Sequence, residues 1–103
     1  MKPCELSFNV LVLRWISDET WHPYFGDVVS ALRANGITMH SPGGSPQRWV
    51  ANLLEGYFEC DRWNGRYPWA IERNKELDLP GVRTALQPFI DEVWRVTREM
   101  SGS

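Results

Sequence analysis

The sequence has few of the residues that build common metal and catalytic sites. It holds two histidines, His22 and His40, and two cysteines, Cys4 and Cys60, with no Cys-x-x-Cys pair and no paired histidine spacing. Zinc sites normally use such spacings, so we expect no metal and no cofactor. Residues 41–48 place two glycines before a predicted helix, an arrangement that can bind phosphate. They lack the Gly-Lys-Ser/Thr ending of the nucleotide phosphate loop, which excludes that motif.

The chain also lacks an excess of positive charge and a long hydrophobic run. Its 11 Lys and Arg stand against 13 Asp and Glu, which argues against a partner that is a nucleic acid or an anionic membrane surface. The apolar run from Leu6 to Leu13 is interrupted by Asn9 and is too short to cross a bilayer, and the start does not read as a signal peptide. We therefore expect a cytoplasmic protein with reduced, structural thiols, and the oligomeric state stays open.

Tryptophan is the abundant residue that departs from ordinary composition. Six Trp occur in 103 residues, while the apolar share of 43% and the charged share of 23% are typical of a globular protein. The length suits a single domain over residues 1–103, and residues 99–103 read as a flexible tail. Because Trp is large and its N–H needs a partner, six of them indicate an aromatic core or rings reserved for an interface.

Apolar residues recur at helical spacing through most of the chain. The clearest stripe begins at Trp49 and continues through Val50, Leu53 and Leu54. Helices are predicted at about 23–34, 45–60, 69–76 and 80–98. Pro88 should kink or split the last of these, because it lacks a backbone donor and crowds the preceding turn. The predicted fold class is mostly α, a compact irregular bundle of four or five helices joined by short loops.

The first apolar segment allows two interpretations. Residues Phe8, Leu11, Val12, Trp15 and Ile16 form one helical stripe, which favours a helix. Alternation of apolar side chains over residues 6–13 would instead fit a strand, and the alternative fold is α+β with 6–13 and 37–41 as strands. In either case the segment is apolar on most sides, so it should lie centrally.

An aromatic turn around the dipeptide Asn64-Gly65 follows the third helix. It is rich in Trp, Tyr and Arg, the types that dominate interface centres, and acidic residues precede it, which would steer a basic partner. The predicted partner-binding residues are Glu55, Glu59, Asp61, Arg62, Trp63, Tyr67 and Trp69, with Asp18 and Glu19 as a second patch. Three other rings lie on apolar helical faces and are assigned to the core: Trp15, Trp49 and Trp94.

A small, acidic, Trp-rich chain without a catalytic motif resembles the bacterial immunity proteins, including those of contact-dependent growth inhibition. The resemblance is one of overall character, and the stretch over residues 32–59 is similar in kind to that class. It implies that the chain binds and neutralises a cognate toxin protein. Many such toxins are nucleases with basic active faces, which acidic and aromatic side chains of the inhibitor would occlude.

We expect that the protein is not an enzyme. Two alternative functions also fit the sequence. The chain could be an accessory or adaptor subunit that binds a different protein. It could also be a small hydrolase that uses His22 with Asp18, since an acid–base pair close in sequence is a weak sign of such chemistry.

Overall fold

Four α-helices build the part of the chain that the structure describes. A computed structural model describes residues 3–37, 46–58, 60 and 75–102. The helices are α1 (Phe8–Ser17), α2 (His22–Ala34), α3 (Pro46–Tyr57) and α4 (Val82–Gly102), and two short 3-10 turns cover Pro3–Glu5 and Glu19–Trp21. The prediction of a mostly α bundle is confirmed, and the described ranges contain no strand.

Helix α1 settles the ambiguous first segment as a helix. Ser7 is its N-cap, and the Ser7 hydroxyl accepts a hydrogen bond from the Val10 amide at 3.4 Å. The strand interpretation of residues 6–13 is therefore wrong, and of residues 37–41 only Ile37, which has no regular structure, is described. Tertiary burial of the helical stripe outweighs the β-propensity of its valines.

Helix α2 begins and ends close to its predicted bounds. At its end, Gly36 takes a φ of 80°, and the Ile37 amide bonds back to the Leu32 carbonyl at 3.0 Å. This is a Schellman ending, in which a glycine occupies the left-handed position. The Asn35 side-chain amide donates to the Pro80 carbonyl at 3.0 Å, so the end of α2 is tied to the chain just before α4.

Helices α3 and α4 carry the most regular apolar stripes. Helix α4 remains one helix through Pro88, so of the predicted kink or split, the split does not occur. It runs four residues beyond the predicted end, and the described part of the predicted tail is its last turn. The side chains with less than 2% exposure come largely from these two helices: Leu53, Leu54, Val50, Val82, Leu86, Phe89, Ile90 and Val93, with Leu32 and Val28 of α2.

Among the described residues, the core contains a buried carboxylate. Glu76 is 7% exposed, and its Oε2 accepts a hydrogen bond from the Trp49 indole Nε1 at 2.6 Å. A buried acid of this kind requires a hydrogen-bonding partner. Trp49 therefore enters the core with its N–H satisfied, as its assignment to the apolar face of α3 predicts.

Cys4 and Cys60 form a disulfide, so the prediction of reduced thiols is wrong. The first 3-10 turn lies against the end of α3, and the two Cα atoms are 5.4 Å apart, inside the range that a bridge requires. The Cys4 sulfur is also 3.3 Å from the Phe58 carbonyl oxygen. The number of cysteines allows this pairing, but only the tertiary fold brings together residues 56 positions apart.

Two predictions of burial are also corrected. Helix α1 is not central, because it packs on α3 with one face only and leaves Val10 55% and Leu13 65% exposed. Trp94, assigned to the core, is 42% exposed and touches Phe58 edge-on at 5.5 Å. The buried stripe of α4 passes through Ile90 and Val93, and Trp94 lies beside that stripe at its edge.

Candidate functional site

The turn between α1 and α2 is organised by Asp18. Its carboxylate accepts from the Thr20 hydroxyl at 2.7 Å and from the Thr20 amide at 3.1 Å, which caps the 3-10 turn Glu19–Trp21. The side-chain and then the backbone hydrogen bond of Thr20 hold the pKa of Asp18 below its ordinary value, and the charge of His22 acts in the same direction. This cap fixes the direction in which Trp21 leaves the turn.

Trp21 is held by a cluster of aromatic rings. Its centroid lies 5.1 Å from Trp15, 5.3 Å from Phe89 and 5.4 Å from Tyr24. Trp15 and Phe89 are buried, Trp21 is half-buried and Tyr24 is exposed. Contacts of this geometry stabilise ring pairs beyond the burial of area alone. The outer two rings are therefore supported from below and present a pre-formed aromatic surface.

Trp21 and Tyr24 form one wall of a surface groove of about 520 Å³, whose other wall is α4. Pro88, Asp91, Glu92, Arg95 and Arg98 supply that second wall. A smaller hollow of about 190 Å³ adjoins it, shares Trp21, Glu92 and Arg95 with it, and includes Asp18 and Arg14. We call the two together the aromatic groove.

The charged wall of the aromatic groove is partly paired within itself. Arg95 forms an ion pair with Glu92 and another with Glu99 at 2.8 Å, and the hydrogen bond that Arg95 donates to Glu92 raises the pKa of Arg95. Asp91 accepts from the Gln87 side chain at 2.8 Å. Arg98 has no ion-pair partner among the residues that the structure describes. It is the cation of this wall that remains open to a ligand.

The sequence-predicted site residues fall into three places. Asp18 lines the smaller hollow of the aromatic groove and the next residue, Glu19, is exposed, so the second predicted patch lies at the edge of the groove. Glu55 is on α3, where it is half-buried with one carboxylate oxygen fully covered. The remaining predicted residues, Glu59, Asp61, Arg62, Trp63, Tyr67 and Trp69, lie outside the described residues, and their role stays a prediction.

Sequence reasoning missed the two outer rings of the aromatic groove. Tyr24 comes directly before the buried Phe25 at the start of α2, yet it is 39% exposed. Trp21 received no assignment, although it lies between a capping Asp18 and a helix-starting Pro23, which are signals of a turn at the surface. The residues opposite them are some 65 or more positions later in the chain, so only the tertiary fold brings both walls together.

The geometry around His22 is that of a surface contact. Its Nε2 lies 2.8 Å from the Ile16 carbonyl, and since a carbonyl can only accept, Nε2 carries the proton. Asp18 uses the same carboxylate oxygen for both of its bonds to Thr20. The hydrolase alternative would therefore depend on the other ring nitrogen of His22.

The described residues show no group of three His, Cys, Asp or Glu that could hold a metal ion. Among the helices that the structure describes, none has both the length and the apolar character needed to cross a bilayer. Comparison of the chain with protein-family models, with curated proteins and with solved structures gives no match.

Proposed function

We propose that the chain is an immunity or inhibitor protein, which binds a cognate toxin domain and covers its basic active face. The observation that carries the proposal is the aromatic groove, in which Trp21 and Tyr24 stand beside Arg95 and Arg98. Trp, Tyr and Arg are the residues most enriched among the few that dominate binding energy at protein interfaces. The same three types are abundant in the predicted turn after α3.

Packing of the outer rings on buried rings lowers the entropy that they would lose when a partner binds. Trp21 is stacked on two buried rings, Trp15 and Phe89, so little side-chain freedom remains to be lost when a partner covers it. Immobilising a flexible side chain costs about 0.5–1.5 kcal/mol on association. A braced Trp avoids much of that cost, and its exposed face can still be buried.

The charges around the aromatic groove favour a basic partner. Three acids and three arginines line it, and two further acids, Glu19 next to Asp18 and Glu99 paired with Arg95, bring the net charge of this surface to −2. They are Asp18, Glu19, Asp91, Glu92, Glu99, Arg14, Arg95 and Arg98. Complementary potentials of this kind mainly accelerate association and are weakened by salt. A nuclease toxin, whose active face is basic, has the complementary sign.

The direct test is binding to the protein encoded next to this chain's gene. The toxic domain of that protein should form a tight complex whose association rate falls as salt is added. Trp21→Ala should weaken the affinity by about 30-fold or more, which corresponds to the ~2 kcal/mol of an interface hot spot. Trp94→Ala is the matched control, because Trp94 is also an exposed Trp but lies away from the aromatic groove.

Two further variants keep the test decisive. Arg98→Glu changes the aromatic groove without removing any described ion pair, so it should alter binding in a chain that folds normally. A Glu59→Lys/Asp61→Lys double variant probes the other predicted surface. Wild-type affinity for both Trp21→Ala and Arg98→Glu would exclude the aromatic groove. Failure of the chain to bind the neighbouring gene product, with capture of a subunit of another assembly, would favour the adaptor alternative.

A further inference from the structure

Helix α1 has a second apolar face that nothing in the described chain covers. Its inner face buries Phe8, Leu11, Val12 and Trp15, while the outer face exposes Val10 and Leu13, and Ile16 lies at the flank with 36% exposure. Scattered exposed apolar residues are common, but here they follow one side of a single helix. Leu13 is the most prominent of them.

The apolar face continues into a groove between the end of α1 and α2. This groove has a volume of about 510 Å³, and Ile16, Phe25 and Val29 provide its apolar lining. Gly26 lies in its floor, in the interior of α2. Glycine weakens a helix interior, and a Cβ at Gly26 would meet no atom within 4 Å. Packing among the described residues therefore gives no reason for a glycine at this position.

Leu13 and Gly26 are each followed by an exposed charge of opposite sign. Arg14 follows the protruding leucine, and Asp27 follows the open glycine. Neither forms an ion pair among the residues that the structure describes. Successive residues of a helix are rotated by about 100°, so each charged residue lies on the flank of its own helix that faces away from the groove.

We propose that this surface binds a second copy of the chain in a two-fold symmetric dimer, with Leu13 of each copy seated over Gly26 of the other. A two-fold interface must be complementary to itself, which requires a projection and a recess on the same surface. Leu13 and Gly26 supply these, and Ile16, which follows Leu13 by about one helical turn, lines the groove that contains Gly26. In this arrangement Arg14 of each copy comes next to Asp27 of the other, so charges that are unpaired in the single chain become paired.

Sedimentation velocity tests the dimer. The chain concentration should be varied from about 1 μM to about 1 mM, so that weak association is also detected. The wild-type chain should shift from the 12.0 kDa monomer towards twice that mass as its concentration rises. Gly26→Gln fills the recess, so it should remain monomeric over the same range. It should also unfold at a higher temperature than the wild-type monomer at low concentration, because glutamine is the better helix former and has open space at this position.

A charge exchange provides the second arm. In an Arg14→Glu dimer the new Glu would face Asp27 of the other copy, and in an Asp27→Arg dimer the new Arg would face Arg14. Like charges repel, so each variant alone should need a higher concentration than wild type to form a dimer. A mixture of the two should form a mixed dimer in which both pairs are again opposite. A wild-type chain that stays monomeric at every concentration, a Gly26→Gln dimer as strong as wild type, or a mixture no stronger than its components would overturn the proposal.

Discussion

Reduction of the Cys4–Cys60 disulfide should lower the stability of the chain substantially. The bridge closes a loop between residues 56 positions apart. In the chain-entropy account, a loop of 15 residues is worth about 3 kcal/mol and one of 100 residues about 4.7 kcal/mol, so this bridge should contribute about 4 kcal/mol. Since domains are commonly stable by about 5–15 kcal/mol, this is a large share of the total.

Urea unfolding of one sample with and without a dithiol reductant measures the effect. With a slope of about 1–3 kcal/mol per molar urea, a loss of 4 kcal/mol moves the midpoint down by about 1.3–4 M. The control is a Cys4→Ser/Cys60→Ser double variant, whose midpoint should not respond to the reductant. Alkylation followed by mass measurement should find no free thiol in the oxidised folded chain.

An unchanged midpoint, or two labelled thiols in the oxidised chain, would refute the reasoning. The reduced form also tests the predicted compartment, because cytosolic thiols are normally kept reduced. If the reduced chain is unfolded at 37 °C, the prediction of a cytoplasmic protein fails. If it folds and still binds its partner, that prediction stands, and the bridge adds stability without being required.

Two further results are expected. Glu76→Leu should lower the free energy of unfolding by about 1–3 kcal/mol, because the buried Trp49 N–H loses an acceptor, whereas Glu76→Gln, which can still accept, should cost less in the same denaturation assay. Asp18→Ala should lower the melting temperature near pH 7, and the gap from wild type should close as the pH falls below 3.8. The sign follows because the pKa of Asp18 is lower in the folded chain than in the unfolded chain. Its ionised carboxylate therefore stabilises the folded chain above the unfolded pKa, and this stabilisation is lost as the pH falls through the folded pKa. Asp18→Asn still accepts from Thr20 but does not ionise, so its gap from wild type should be smaller near pH 7 and should close over the same pH range; a gap that does not change with pH would contradict this explanation.

Local signals predicted the helices well because they act within a few residues. The Asn35-Gly36 pair ends α2 where glycine can take a positive φ, and Pro46 begins α3. The stripe from Trp49 to Leu54 is buried as its spacing predicts. Each of these depends on backbone preferences that a short window of sequence contains.

Burial at the edges of the helical stripes could not be predicted in the same way. Trp94 and Leu13 lie on helices with a clear apolar face, but whether a neighbouring helix reaches them depends on how the helices pack. The disulfide and the aromatic groove join residues that are far apart in sequence. Composition and spacing contain no information on those contacts, so the sequence predicts an interface rich in aromatic rings but does not place Trp21 in the aromatic groove.

The disulfide divides the chain into a covalently closed ring and an open arm. Residues 4–60 form the ring, which contains α1, α2 and α3, while α4 belongs to the arm. Of the four described helices, α4 alone is outside the ring, so noncovalent packing holds it in place, chiefly on α2. Under tension on the C-terminus, α4 should detach before the ring opens. The aromatic groove has one wall on the ring and one on the arm. A partner bound across it would therefore hold α4, the helix that tension should detach first, against the ring.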